Sequence, residues 1–292
     1  MNAFSSFHPV TTAIYFLSVM MITMFSSNPI MLCSALFFAV AFIIKTQKGQ
    51  IFKDLLYSCL LFMIIAITNP IFSHNGVTPL FFVNGNAVTL ESVVCGVNIG
   101  LMVMSVIYSF KCVNIVLTND KILYLLGNVS PKIALLVSGA LRFIPLIKTQ
   151  AEKIKQSQKA MGLYSSDSLT DKLKGALRVY SALITWALEN AVDTGASMKA
   201  RGYGLKGRSR YSLYTFKTVD IVMLLFIAVL DAVVIFALAT DKLRFEFYPS
   251  ISYSDFNVYT ISAIIAFILL CAIPLIIECK EALRWKYYRS KI

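Results

Sequence analysis

Ser197-Met198-Lys199-Ala200-Arg201-Gly202-Tyr203-Gly204 closes a long amphipathic segment lying between two groups of strongly apolar runs. Arg201 sets a permanently charged fork between two of the smallest residues. A partner surface can come close to the backbone there, and the guanidinium can reach a carboxylate through two parallel hydrogen bonds. The same residues also read as a helix C-terminus: Lys199 and Arg201 complement the negative end of the dipole, and Gly202 is the C-cap. The rest of the chain decides between the two readings.

Of 292 residues, 58% are hydrophobic and 14% charged. A soluble domain carries about 25% charged residues, so this is the composition of a polytopic membrane protein. Met1–Pro9 hold no Lys or Arg, and no small-residue cleavage site with a polar sequence after it appears; no removable signal peptide is expected. The net charge is +12, and 17 Lys/Arg against 6 Asp/Glu fall within residues 111–217, which places 11 of the 12 excess charges there. Such a segment is expected on the cytoplasmic side, facing anionic lipid head groups or an acidic protein surface. No nucleic-acid module accompanies the charge, which argues against that partner. The six cysteines are scattered, contain no C-x-x-C, and read as small buried hydrophobes. With two histidines, His8 and His74, a His-based metal site or proton relay is not expected.

In order, Val10–Phe25, Pro29–Ile44 and Leu55–Thr68 are apolar runs, with Asn69-Pro70 read as the end of the third. They are short for a bilayer core that takes about 20 helical residues, so flanking polar residues are expected to extend them. Residues 69–89 carry no charge and read as an outer loop with a small hairpin around Asn84-Gly85-Asn86. Thr89-Leu90-Glu91 is a helix start, and a fourth run continues to about Phe110, closed by Lys111. Val219–Ala239 and Val258–Ile277 complete six spans. Placing the lysines after the second run, Lys111, the basic middle and the basic tail all inside puts both termini in the cytoplasm. Lys242 and Arg244 are the exceptions outside, and Ile133–Ile147 competes as a further span.

The middle differs in kind. Ser130-Pro131 starts a helix of about 30 residues that turns from apolar to basic around Pro145, where a kink is expected. Ser168-Leu169-Thr170-Asp171 resembles a capping box with Asp in place of Glu. Apolar residues at 169, 173, 176, 177, 180, 183, 184, 187 and 188 then define one face of a second long helix. The fold expected is all-α and polytopic. Residues 1–118 carry about four spans, 119–217 form helices at or beneath the inner surface, and 218–292 form a final pair of spans and a basic tail.

Several side chains have two readings. Arg142 either pairs with an acidic residue of the middle helices or reaches a lipid phosphate. Glu189 and Asp193 read as intramolecular ion-pair partners, and Asn69 and His74 as loop structure. Asp220 lies at the inner edge of the fifth run. Asp231, near its middle, is the functional candidate by default. No G-x-x-x-x-G-K-[ST] occurs, so ATP hydrolysis by a phosphate-cradling loop is not expected of this chain.

Five stretches then carry a resemblance that covers most of the chain: Phe7–Thr11; Asn69–Phe81 with Thr89–Ser92 after it; Ala140-Leu141-Arg142-Phe143-Ile144-Pro145-Leu146; and Met198–Gly204. In order and spacing they are similar to the transmembrane T component of energy-coupling factor (ECF) transporters, the CbiQ/EcfT family. The resemblance implies a scaffold rather than an enzyme, with no cofactor or metal of its own. It joins two cytoplasmic ABC-type ATPases to a membrane-embedded, substrate-binding S subunit for uptake of a vitamin or metal ion. Two coupling helices of the family end in Ala-Arg-Gly-like signatures, each docking on one ATPase. The second maps onto Ala200, Arg201 and Gly202. The first falls at Lys159, Ala160, Met161 and Gly162, where Met161 replaces the family's Arg with a polarizable apolar contact. Arg142, Pro145 and Asp231 stand as structural or coupling candidates.

Two other classes stay open on the residues alone. A polytopic enzyme acting on lipid or isoprenoid usually shows clustered acids for Mg²⁺ or a His/Ser constellation, and neither cluster is present. A self-contained secondary transporter often shows internal repeats and broken helices, and no repeat is found.

Overall fold

The fourth apolar run forms the helix on which the membrane part is built. The computed structural model describes residues 3–46, 51–73, 76–83, 86–162, 168–205, 214–240, 243, 245–249 and 257–290. A 3-10 turn, Ala3–Ser6, precedes α1 (Pro9–Phe25), α2 (Pro29–Thr46), α3 (Ile51–Phe72), a hairpin β1 (Pro79–Val83) and β2 (Asn86–Thr89), and α4 (Leu90–Val116). Then follow α5 (Asn119–Val129), α6 (Pro131–Ala160), α7 (Leu169–Ala200), α8 (Thr218–Ala239) and α9 (Val258–Arg289). The chain divides into two compact units, one of residues 1–122 with 214–292 and one of residues 123–213.

Among the described residues six helices are long and apolar enough to cross a membrane: α2, the Asp54–Phe72 part of α3, α4, α6, α8 and α9. The set differs from the six runs expected above at one place. α1, at 17 residues, rises about 26 Å and is short of the mark, whereas α6, with the apolar half that competed as a further span, meets it.

In the first unit α4 packs on α1, α2 and α3, while α9 packs on α2 and α8. The α3–α4 contact is built on Gly96 and Gly100. A Cβ at Gly96 would stand 2.5 Å from the Ala66 carbonyl oxygen, and one at Gly100 would stand 2.9 Å from the Phe62 ring. Small residues four apart allow this backbone approach, as they do generally between membrane helices. The α2–α4 contact is a polar seam at seven-residue spacing. Asn98 donates to the Ser27 carbonyl (3.0 Å), Ser105 to that of Leu32 (3.0 Å), and the Cys112 thiol to that of Ala39 (3.6 Å).

Three prolines lie inside helices. Pro70 does not end α3, as read from the sequence; the helix runs on to Phe72. A proline there cannot hydrogen-bond the Ala66 carbonyl, and that oxygen instead lies against the bare backbone of Gly96. Pro274 frees the Leu270 carbonyl of α9 in the same way, and the Tyr15 hydroxyl of α1 donates to it at 3.1 Å. α6 continues as helix through Pro145.

Local starts are specified by side chains. Thr89 caps α4, accepting from the Ser92 N–H at 3.3 Å. The Glu91 carboxylate in the first turn accepts from the Thr78 hydroxyl at 2.9 Å and from its N–H, which fastens the hairpin to the helix. The hairpin pairs Phe81 with Val88 and Val83 with Asn86; the expected turn at Asn84-Gly85 lies outside the described residues. The capping box expected at Ser168–Asp171 is not formed, because the Ser168 hydroxyl lies 2.7 Å from that of Thr170 and makes no cap bond. All six cysteines are free; Cys112 and Cys271 are buried, whereas Cys33 and Cys59 are exposed on the sides of α2 and α3.

Candidate functional site

Within residues 123–213, α6 and α7 pack on each other. Gly175 is the buried residue of α7. A separate stripe, Leu169, Leu173, Leu177, Tyr180, Ile184 and Leu188, is exposed along the same helix. Its spacing of three and four is that of a helix face. The face expected from the sequence is therefore uncovered by the rest of this unit.

Both helices end on the same four-residue pattern, Lys-Ala-x-Gly, and in the same backbone geometry. At the end of α7, Arg201 adopts φ −80° and ψ 9°, and Gly202 turns to φ +77°. The Gly202 N–H donates to the Lys199 carbonyl at 2.9 Å, and the Tyr203 N–H to that of Met198 at 3.0 Å. At the end of α6, Met161 adopts φ −80° and ψ 5°, and Gly162 turns to φ +75°. Its N–H donates to the Lys159 carbonyl at 3.0 Å. The left-handed turn is what glycine supplies at this point of a helix end. Both the fork reading and the cap reading of Arg201 are thus compatible: Gly202 terminates the helix, and the residue before it is thrown outward. Ala160, Met161, Ala200 and Arg201 are all exposed, Met161 at 68%. No side chain of the described residues would touch a Cβ at Gly162. Lys159 and Lys199 sit in the last turns, where their charge opposes the dipole's negative end. Within these four residues the two ends differ in one side chain, an apolar thioether on α6 and a guanidinium on α7.

A family model described as a cobalt transport protein, CbiQ, matches residues 2–213. The chain belongs to the CbiQ family. Relatives named energy-coupling factor transporter transmembrane protein EcfT match shorter stretches. That of Listeria innocua is 37% identical over 102 residues, 34% of this chain and 38% of its own. That of Lactobacillus helveticus is 32% identical over 101 residues, 34% and 36%. That of Bacillus subtilis is 30% identical over 107 residues, 36% and 40%. The chain thus matches less than half the length of these relatives. The CbiQ/EcfT resemblance read from the five stretches is borne out, as is an all-α polytopic membrane fold.

The other candidates of this CbiQ-family chain fall in several places. Arg142 and Pro145 are exposed on α6, and Arg142 makes no ion pair among the described residues. Glu189 and Asp193 are exposed on α7 and, contrary to expectation, make none either. No Lys or Arg lies three or four residues from either of them, the reach of a pair along one helix. Asp231 on α8 lies beside Ser18 of α1, and its Oδ1 is buried without a hydrogen-bond partner among the described residues. His74 lies outside the described residues. Asp220, ranked below Asp231 on sequence, is the more engaged. It is buried, and it accepts from the His8 N–H at 2.9 Å and the Lys217 N–H at 3.1 Å. Lys121, not singled out from the sequence, is buried as well. Its only signal is a lone lysine two residues after the Asn119 helix start. The Gly96–Gly100 spacing, by contrast, is a motif that the sequence offered and that was missed.

Proposed function

We propose that this chain is the transmembrane scaffold of an ECF-type importer, in which two cytoplasmic ABC-type ATPases dock on the ends of α6 and α7. The observation that carries the reading is the repeated helix end, Lys159–Gly162 and Lys199–Gly202, with one backbone geometry and an outward side chain at each. Two like docking points suit two like ATPases. On this reading residues 119–217 form the coupling region at the cytoplasmic face, α6 lying along it although long and apolar enough to cross a membrane, with both termini on that side, in keeping with the concentration of positive charge there.

In this mechanism ATP binding closes the ATPase pair and shifts α6 and α7. Arg201 holds one ATPase by a charge-assisted, two-pronged bond to a carboxylate. Met161 seats in an apolar hollow on the other, with Lys159 supplying charge beside it. The exposed stripe Leu169–Leu188 receives the membrane-embedded S subunit, which selects a vitamin or metal ion and reorients when the helices move. Energy is supplied by the ATPases, and this chain performs no chemistry on the substrate. The relatives' name as ECF transporter transmembrane proteins supports this reading.

Affinity purification of the tagged chain in mild detergent, with identification of what comes with it, tests the proposal. Two ABC-type ATPases and a small integral membrane protein are expected. Recovery of the chain free of any ATPase, at yields where the membrane part is folded, overturns it.

A further inference from the structure

Residues Ser5–His8 hold together the two points at which the chain leaves and re-enters the membrane unit. It leaves after Ile122 and returns at Tyr214. On the leaving side, the buried Lys121 ammonium donates to the Ser5 carbonyl and, at 3.2 Å, to the Val116 carbonyl at the end of α4. On the returning side, Asp220 accepts from the His8 N–H. The His8 ring lies against Phe216, centroids 4.1 Å apart, and edge-on to Tyr214 at 6.4 Å. The residue just before it is tied to α9, where the Phe4 N–H donates to Glu278 at 3.1 Å. The Phe4 ring is buried among Phe7, Tyr15 and Phe16.

A buried lysine and a buried aspartate are costly unless hydrogen-bonded. Here both bind backbone atoms of one short segment more than a hundred residues away in sequence. Burial holds the Lys121 ammonium below its ordinary value. A plain tether between two units requires neither group.

We propose that Ser5–His8 is a clasp that fixes both connections of the coupling region at one place, with Lys121 and Asp220 as positioning residues that pass its displacement into α1, α8 and α9. This rests on the scaffold reading above. With both connections held together, a shift of α6 and α7 reaches the membrane helices as one motion. With either released, the two connections move independently.

Hydrogen exchange on the chain assembled with its ATPases in nanodiscs, with and without a non-hydrolysable ATP analogue, tests this. In the unaltered protein the analogue is expected to change exchange at the ends of α6 and α7 and also in residues 4–8 and 214–220. In Lys121→Met and Asp220→Asn the first response persists and the second falls roughly tenfold, the scale of one lost charge-assisted hydrogen bond. Lys121→Arg restores it. Persistence of both responses in Lys121→Met and Asp220→Asn overturns the clasp. So does a silent 4–8 segment in the unaltered protein, or variants that lose folded protein and ATPase together. A chain that binds no ATPase at all shows no response even in α6 and α7, which defeats the scaffold reading itself.

Discussion

His8 shows how one residue can carry a cap, a contact and a pH dependence. Its Nδ1 accepts from the Val10 N–H at 3.3 Å and so caps α1, which leaves the proton on Nε2 in the neutral ring. Burial holds its titration below the ordinary 6.5, against the opposing pull of Asp220. Below that ordinary value the unfolded chain takes up a proton that the folded chain does not, so stability falls as pH drops towards the lower folded value. The melting temperature in detergent is expected to fall as the pH is lowered through the ordinary value of 6.5. His8→Asn keeps a cap acceptor and flattens that slope; an unchanged slope in the variant refutes the assignment. Asp231 makes the opposite case. With Ser18 beside it and its Oδ1 without a hydrogen-bond partner among the described residues, it contributes little to holding the fold. Asp231→Asn is expected to leave melting within about 1 kcal/mol of the parent, and a loss of several times that would show a partner essential to the bundle. The sequence placed both carboxylates of α8 in a span, with Asp231 as the functional candidate, but gave no sign that Asp220 is the one engaged in holding the fold. Asp220's donors are backbone amides of His8 and Lys217, and nothing in the residue pattern announces a partner 212 positions away.

Between elements, α3 and α4 approach closely at two glycines. Gly96 meets a backbone carbonyl, which has nowhere to go, whereas Gly100 meets the edge of the Phe62 ring, which can turn. Gly96→Ala is therefore expected to destabilise the detergent-solubilised protein by about 1–3 kcal/mol, the cost of overpacking, and Gly100→Ala by less. Thermal unfolding followed by intrinsic fluorescence ranks them, and equal or reversed losses count against the packing described. Most elements were legible beforehand, because apolar runs and caps such as Thr89 are local signals. The end of α3 was not legible, because the Ala66 carbonyl that Pro70 leaves free lies against Gly96 of another helix, which no local signal announces. The box at Ser168 was misread because the Thr170 hydroxyl competes for the same side chain. The ends of α6 and α7 were legible for the reason that matters here: a glycine that must turn left-handed fixes where the preceding side chain emerges.

At the scale of the whole molecule, one unit is built from both ends of the chain and the other is a middle region holding most of the excess charge. The two matched helix ends in that region bear the functional reading, and their asymmetry gives it an edge. A guanidinium between small residues makes a stronger and more specific contact than a thioether, so in the proposed scaffold α7 is expected to hold an ATPase more tightly than α6. Binding of the purified ATPases to the chain in nanodiscs decides the matter. Arg201→Glu is expected to weaken association by about tenfold or more, the loss of a charge-assisted bond with repulsion added. Arg201→Ala should be milder, and Met161→Ala milder again. Unaltered binding by Arg201→Glu would contradict docking at the end of α7.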